Sequence, residues 1–241
     1  MKISQRNFYE RLYNQKEPPN PARDIYNQLR IQTIKDLLSN SQGPFLIVGC
    51  GSGKDLEVVA PDQKVFAFDL AYNAIKQIEA ERGNLFVADL LHIPFPSDFF
   101  PTVVCSEVLE HVPNVRLAVR EIYRVMKKNG VLIVSSPNWL SWFGLARWIG
   151  ERLLNRPFHS SGQPYDDWKT TWKYKKELSP EFKAEMVRGV WFLPPMHYRG
   201  KGLPAHLTRY LYKLVSPIEK ILSRVLPHFA HLIILKARPQ K

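Results

Sequence analysis

Gly49-Cys50-Gly51-Ser52-Gly53 places three glycines at alternate positions directly after the apolar run Phe45-Leu46-Ile47-Val48. Glycine has no Cβ and accepts positive φ, so such a loop brings bare backbone N–H groups close to a ligand. Asp69 stands sixteen residues past Gly53 and ends a second apolar run, Val65-Phe66-Ala67-Phe68. In a doubly wound sheet that carboxylate lies at the carboxyl end of the neighbouring strand, where it can take both hydroxyls of a ribose. A third group, Ser106-Glu107-Val108-Leu109-Glu110-His111, follows a further apolar run and carries two carboxylates and an imidazole. Imidazole is the side chain suited to proton transfer near neutral pH, so His111 is a candidate general base, or else a residue that packs the following turn. Together these residues imply a nucleoside cofactor with acid–base groups beside it.

The spacing narrows the cofactor. A dinucleotide fingerprint, G-x-G-x-x-G, requires a glycine where Lys54 stands. A P-loop requires a glycine at Val48 and Ser or Thr at Asp55, and has neither. The G-x-G-x-G loop, Asp69, and the segment Asp89-Leu90-Leu91-His92-Ile93-Pro94-Phe95-Pro96 after a third apolar run resemble the class I S-adenosylmethionine-dependent methyltransferases over roughly residues 40–137. Within that family the ubiquinone- and menaquinone-biosynthesis-like small-molecule enzymes are the most similar. The resemblance implies that Gly49, Cys50, Gly51 and Gly53 lie along the methionine part of the cofactor. It places Asp69 and Leu70 at the ribose, Asp89 and Leu90 at the adenine, and Ser106 nearby, with Glu107 and His111 at the reaction centre. Two positions depart from the family: Ile47 stands where an acid usually helps hold the cofactor's amino group, and Pro101 where Asp usually precedes strand four.

E-x-x-E-H, formed by Glu107, Glu110 and His111, also resembles the metal-binding segment of the ubiquinone-biosynthesis O-methyltransferases and the small-RNA 2′-O-methyltransferases. A divalent metal there would orient and acidify an acceptor hydroxyl, with His159 or Asp166 available to complete its shell.

Strand, helix and strand alternate with short connections, the signature of an α/β fold. The reading is a doubly wound, Rossmann-like sheet, mostly parallel and, by resemblance, seven-stranded with its last strand reversed. Helical periodicity covers 22–38, 72–82 and 115–127; strands are expected at 45–48, 65–68, 84–88, 99–106 and 131–136. Residues 190–193 and 232–235 are candidates for strands six and seven. Residues 1–137 would form the cofactor-binding core, with Phe8, Tyr9 and Tyr13 in an N-terminal lid. Residues 138–241 would supply substrate-binding insertions and the last two strands of the same sheet.

Three stretches bear on the acceptor. Trp139 to Leu154 is apolar around three tryptophans, and reads either as a lid over the acceptor pocket or as an interfacial helix on anionic lipid. Leu207 to Leu226 reads as a helix interrupted near Pro217, with its apolar stripe packed on the core and its basic face in solvent; a second membrane contact is the alternative. Trp168 to Lys176 interleaves aromatic and basic residues in a way that could stack on single-stranded nucleic acid.

With 241 residues and 45% hydrophobic content, the chain can bury one core. Its net charge of +12 points to an acidic partner or to a solubilising surface. Two cysteines without disulfide or zinc spacing, and no apolar leader, suggest a cytoplasmic setting, with the inner face of a membrane as a peripheral site. The expected activity is methyl transfer to oxygen or carbon of a small, hydrophobic or lipid-like acceptor. An RNA methyltransferase and a non-catalytic cofactor-binding subunit are the alternatives.

Overall fold

The computed structural model describes residues 4–15, 20–153, 163–193, 197–198, 201–202 and 204–241. Its centre is a seven-stranded sheet in the order β3-β2-β1-β4-β5-β9-β6. β1 (Phe45–Val48), β2 (Val65–Asp69), β3 (Asn84–Val87), β4 (Phe100–Ser106) and β5 (Met126–Pro137) are parallel. β9 (Leu232–Pro239) runs antiparallel to both β5 and the edge strand β6 (Phe182–Val190). Two-residue strands β7 (His197–Tyr198) and β8 (Lys201–Gly202) pair separately.

β1 is buried along its whole length because both faces of the sheet are covered. Leu46 and Val48 point to one core, and Phe45 and Ile47 to the other. The first core is closed by α4 (Val115–Val125) and α6 (Thr171–Leu178), the second by α2 (Pro21–Leu38). On α4 the buried Val115, Ala118, Val119, Ile122 and Val125 recur at helical spacing, and Asn114 caps the helix by accepting the Leu117 N–H at 3.1 Å. Ile122 and Val119 are fully buried, each contributing roughly 1.5–3 kcal/mol. Asn20 caps α2 and Pro21 pre-sets its first turn. α1 (Gln5–Leu12) packs on the four-residue α3 (Tyr72–Ile75), which follows β2, and α5 (Trp142–Arg152) follows the end of β5.

Four expectations are corrected. The helix expected over 72–82 stops at Ile75: the next backbone bonds are tighter turns, Gln77 N–H to the Ala74 carbonyl and Ile78 N–H to the Ile75 carbonyl, and a separate short helix covers Ala80–Arg82. Strand six is Phe182–Val190, not 190–193; Trp191 adopts φ 67° and ends it. Pro217 does not interrupt α7 (Ala205–Val225), since the Lys213 carbonyl, deprived of a backbone donor, accepts the Ser216 hydroxyl at 3.1 Å. The apolar stripe of α7 faces outward rather than into the core: Tyr210, Leu214, Ile218, Ile221 and Val225 are exposed, whereas Thr208 and Glu219 are buried.

Among the described residues no helix is long and apolar enough to cross a membrane. Cys50 and Cys105 are both buried and unpaired.

Candidate active site

The glycine loop leaves β1 and passes at once into left-handed backbone, with φ 63° at Gly49, 52° at Gly51 and 94° at Gly53. This geometry brings the Gly51 N–H to 2.9 Å from Asp69 Oδ2, while Asp69 Oδ1 accepts the Ala71 N–H at 2.9 Å. Burial pushes the Asp69 carboxyl up, and these backbone donors oppose that shift. Asp89 accepts the Leu91 N–H at 2.9 Å, which fixes the turn after β3.

A cavity opens along this edge. Gly49, Asp69, Leu70, Asp89 and Leu90 line it at one end, and Glu107 and His111 at the other. Cys50, Gly51, Gly53 and Ser106 are not in its wall. Cys50 packs among the apolar side chains beneath α2, and burial pushes its thiol up. Ser106 is buried, contacting Arg30 and sharing a hydrogen bond with Ser135 at 2.8 Å.

α1 lies across the mouth. Gln5, Tyr9 and Tyr13 complete the cavity wall, and Gln5 donates to the His111 carbonyl. The Tyr9 hydroxyl is buried with no hydrogen-bond partner, as a group awaiting a polar ligand would be. Open backbone at Gly49, two carboxylates at neighbouring strand ends, apolar walls at Leu70 and Leu90, and this orphaned hydroxyl fit an adenosine-bearing cofactor.

Glu107 adopts φ 54°, a conformation that costs a non-glycine residue about 1–3 kcal/mol. Its N–H donates to the Ser135 carbonyl at 2.9 Å, and its carboxylate accepts the Tyr26 hydroxyl at 2.7 Å. Arg30 Nε lies 3.4 Å from the same carboxylate, and Arg30 Nη2 lies 2.7 Å from Asp55 Oδ1. Burial alone would lower the Arg30 pKa, but Asp55 and Glu107 outweigh it and raise it, so the guanidinium stays charged. Burial, then the Glu107 charge, raises the Tyr26 phenol. Sequence reasoning missed this cluster. One signal was available: Arg30 falls four and eight residues before Ile34 and Leu38, on the buried face of α2, where a charge needs a partner.

His111 Nδ1 lies 3.3 Å from the Tyr165 carbonyl and 3.8 Å from Asp166 Oδ1. Asp166 is held by Arg147 at 2.8 Å, and the guanidinium of Arg147 lies against both the Trp139 and Trp168 rings, 5.0 and 4.9 Å from their centroids, the two indoles themselves meeting edge to face. Glu110 is fully buried and turned away from Glu107: Oε2 accepts the Ser136 hydroxyl at 2.9 Å, and Oε1 lies 4.0 Å from His111 Nε2. Burial pushes its carboxyl up to about 7.

The expected metal triad is thus not brought together. Glu107 is engaged by Arg30 and Tyr26 and Glu110 by Ser136, and no group of three His, Cys, Asp or Glu side chains able to hold a metal forms among the described residues. Asp166 approaches His111, while His159 lies outside the described residues. The stretch 168–176 is divided: Trp172, Lys173 and Lys176 are exposed, but the rest does not form an open basic platform. Lys169 is 2% and Tyr174 1% exposed, with Lys169 held at 3.1 Å by both Asp167 and Glu177.

Residues 46–134 match the methyltransferase domain family. An uncharacterized protein of Methanocaldococcus jannaschii is 24% identical over 96% of both chains. The ubiquinone biosynthesis O-methyltransferase of Pseudomonas entomophila is 32% identical over 49% of this chain and 54% of its own, so the chain spans about half the length of that named relative. A solved S-adenosylmethionine-dependent methyltransferase of Thermotoga maritima superposes with a TM-score of 0.66 at 14% identity, covering 98% of this chain and 99% of that one. The glycine loop, Asp69 and the antiparallel β9 agree with these likenesses: residues 46–134 are a methyltransferase domain, set in a sheet that shares the fold of solved S-adenosylmethionine-dependent methyltransferases.

Proposed function

We propose that this protein methylates an oxygen or carbon of a small, hydrophobic or lipid-like acceptor bound between α1 and His111. The observation that carries this reading is the acceptor end of the cavity. Val108, Val112 and Pro113 surround a single imidazole there, under a helix that leaves little room for a polymer. The bound cofactor supplies an electrophilic methyl group on its sulfonium. The protein's part is then alignment, exclusion of water and proton removal.

Asp69 and Asp89 fix the adenosine. Glu107, pinned in left-handed backbone by Arg30 and Tyr26, holds the turn that presents His111. The Tyr165 carbonyl takes the Nδ1–H of His111, which assigns the lone pair to Nε2. For a hydroxyl acceptor, Nε2 takes the proton as oxygen bonds to the methyl carbon and the carbon–sulfur bond breaks, leaving a neutral thioether. The imidazolium then lies 4.0 Å from Glu110 Oε1, whose partial charge stabilises it. A divalent metal, should one assist, would have to recruit Glu107 or Asp166 away from its arginine partner.

The test is transfer of label from methyl-labelled S-adenosylmethionine to a panel of phenols, quinols and fatty acids, with total transfer RNA as the competing acceptor. Label in the organic-extractable fraction is expected. Label confined to RNA would overturn the reading.

A further inference from the structure

The outward stripe of α7 is apolar where a water-exposed helix should be polar. Tyr210, Leu214, Ile218, Ile221 and Val225 recur every three or four residues, and each is more than half exposed, from 55% at Ile218 to 68% at Val225. The stripe runs on through exposed Leu226 to Phe229. Phe229 closes a shallow groove whose other wall is Leu140, Trp142, Leu145 and Trp148 of α5 and the turn before it. Those four side chains are 39–57% exposed. Trp172, 56% exposed and stacked on His228 at 4.9 Å, lies beside the same corner.

Charge identifies the occupant. Arg209, Lys213, Lys220 and Arg224 are exposed along one flank of the α7 stripe, and Lys173 and Lys176 are exposed on α6. α7 contains a single acidic residue, Glu219; it is buried, and its carboxylate accepts the Phe192 N–H at 2.9 Å. An apolar ridge flanked by cations, with no outward acid on α7, complements lipid that is apolar in its chains and anionic in its headgroups. A second copy of the chain would bring the same cations against one another. We infer that the α5–Phe229–α7 surface seats the protein on an anionic lipid bilayer, with the aromatic and aliphatic side chains in the headgroup boundary and the α7 cations on lipid phosphates.

The same α5 carries Arg147, which holds Asp166 beside His111, so the seated face adjoins the acceptor side of the cavity. The inference does not rest on the acceptor reading, because it is read from lipid partition and not from turnover.

The 241-residue protein is sedimented with vesicles of phosphatidylcholine mixed with phosphatidylglycerol and, separately, of phosphatidylcholine alone. Wild type should partition strongly only onto the mixed vesicles. Leu214→Glu with Ile221→Glu, both at exposed positions, should lower partition at least about tenfold with an unchanged circular dichroism spectrum. Lys213→Gln, Lys220→Gln and Arg224→Gln should each lower it about fivefold. Absence of folded wild type from the vesicle pellet would overturn the inference, as would equal partition of the double glutamate variant. A wild-type dimer in light scattering that this variant converts to monomer would also overturn it, by assigning the face to a second copy.

Discussion

Glu10 on α1 accepts the backbone N–H of Asn73 at 2.9 Å, across 63 residues of chain. The other oxygen takes the Tyr72 N–H at 2.9 Å, so one carboxylate caps the first turn of α3 and latches α1 over the cavity. Asn73 returns a hydrogen bond to the Glu10 carbonyl at 2.8 Å. The backbone donors at Asn73 and Tyr72 hold the Glu10 carboxyl below its ordinary range. Glu10→Ala is expected to weaken S-adenosylhomocysteine binding about threefold to tenfold, the net worth of about one ordinary hydrogen bond, because the latch acts on the cavity only through α1. Titration calorimetry reads the affinity, and faster hydrogen exchange over residues 5–12 shows that the helix has loosened. Unchanged exchange would show that α1 is held by other contacts.

Tyr13 bears on the glycine loop itself. A Cβ at Gly51 would meet the Tyr13 hydroxyl at 2.8 Å, and the next atom of that ring lies at 3.5 Å. Gly51→Ala therefore carries two separable costs: about 1–2 kcal/mol for a left-handed alanine, and displacement of Tyr13. Tyr13→Phe in the same chain should restore the second cost only. A double-mutant cycle on urea unfolding and on S-adenosylhomocysteine affinity measures the coupling. Strict additivity of the two substitutions would mean that Tyr13 does not rest on Gly51 in solution.

Glu110 makes stability depend on pH. Burial raises its carboxyl from an ordinary 4.5 to about 7, opposed by His111, while Glu107 raises it further. The folded state therefore retains a proton that the unfolded state releases. This contribution is fully present below pH 4.5 and is lost as pH rises through 7. His231, buried among Phe143, Trp168 and Tyr26, has its pKa lowered by burial to about 3, so its contribution is present above pH 6.5 and is lost as pH falls towards 3. Between pH 4.5 and 6.5 the two slopes oppose. Glu110→Gln keeps the hydrogen-bonding shape without the titration. The stability difference between variant and wild type should shift in the variant's favour by roughly 3 kcal/mol from pH 4.5 to above 7. Urea unfolding across that range checks it; a pH-independent difference would place the Glu110 carboxyl in contact with solvent.

What could be read from sequence divides by range. Gly49 to Gly53 and Asp69 follow or end buried strands, and Asp89 stands two residues past β3, an edge strand whose apolar run Leu85-Phe86-Val87-Ala88 carries no charge, so a local pattern located them. β6 escaped because it is an edge strand: Lys183 and Glu185 are exposed on it, and only β9 pairs with it. The Arg30–Ser106 and Tyr26–Glu107 contacts close loops of 76 and 81 residues, which no local periodicity encodes. On α7 the period fixed which residues share a face. It could not say which face meets solvent, because the buried positions there are Thr208 and Glu219, two polar residues that hydrogen-bond backbone groups.

Arg147 tests how His111 is oriented. Its guanidinium pairs with Asp166 at 2.8 Å and Glu151 at 2.9 Å while resting against two indoles, a geometry that lysine's point charge does not reproduce. Arg147→Met leaves the Asp166 and Glu151 carboxylates without their shared cation and should cost about 3–5 kcal/mol of stability, the range for a broken buried pair. Asp166→Asn is the gentler probe, since it preserves shape while removing the charge that faces His111 Nδ1 at 3.8 Å. Neither Asp166 nor Arg147 lines the nucleoside end of the cavity, so S-adenosylhomocysteine affinity should stay within about twofold of wild type for Asp166→Asn. Its kcat on any acceptor found should fall about tenfold, less than the roughly 10²–10⁴-fold that positioned proton transfer provides, because the imidazole itself remains. A loss of cofactor affinity equal to the loss of kcat would show that Asp166 supports the whole cavity and not the imidazole alone.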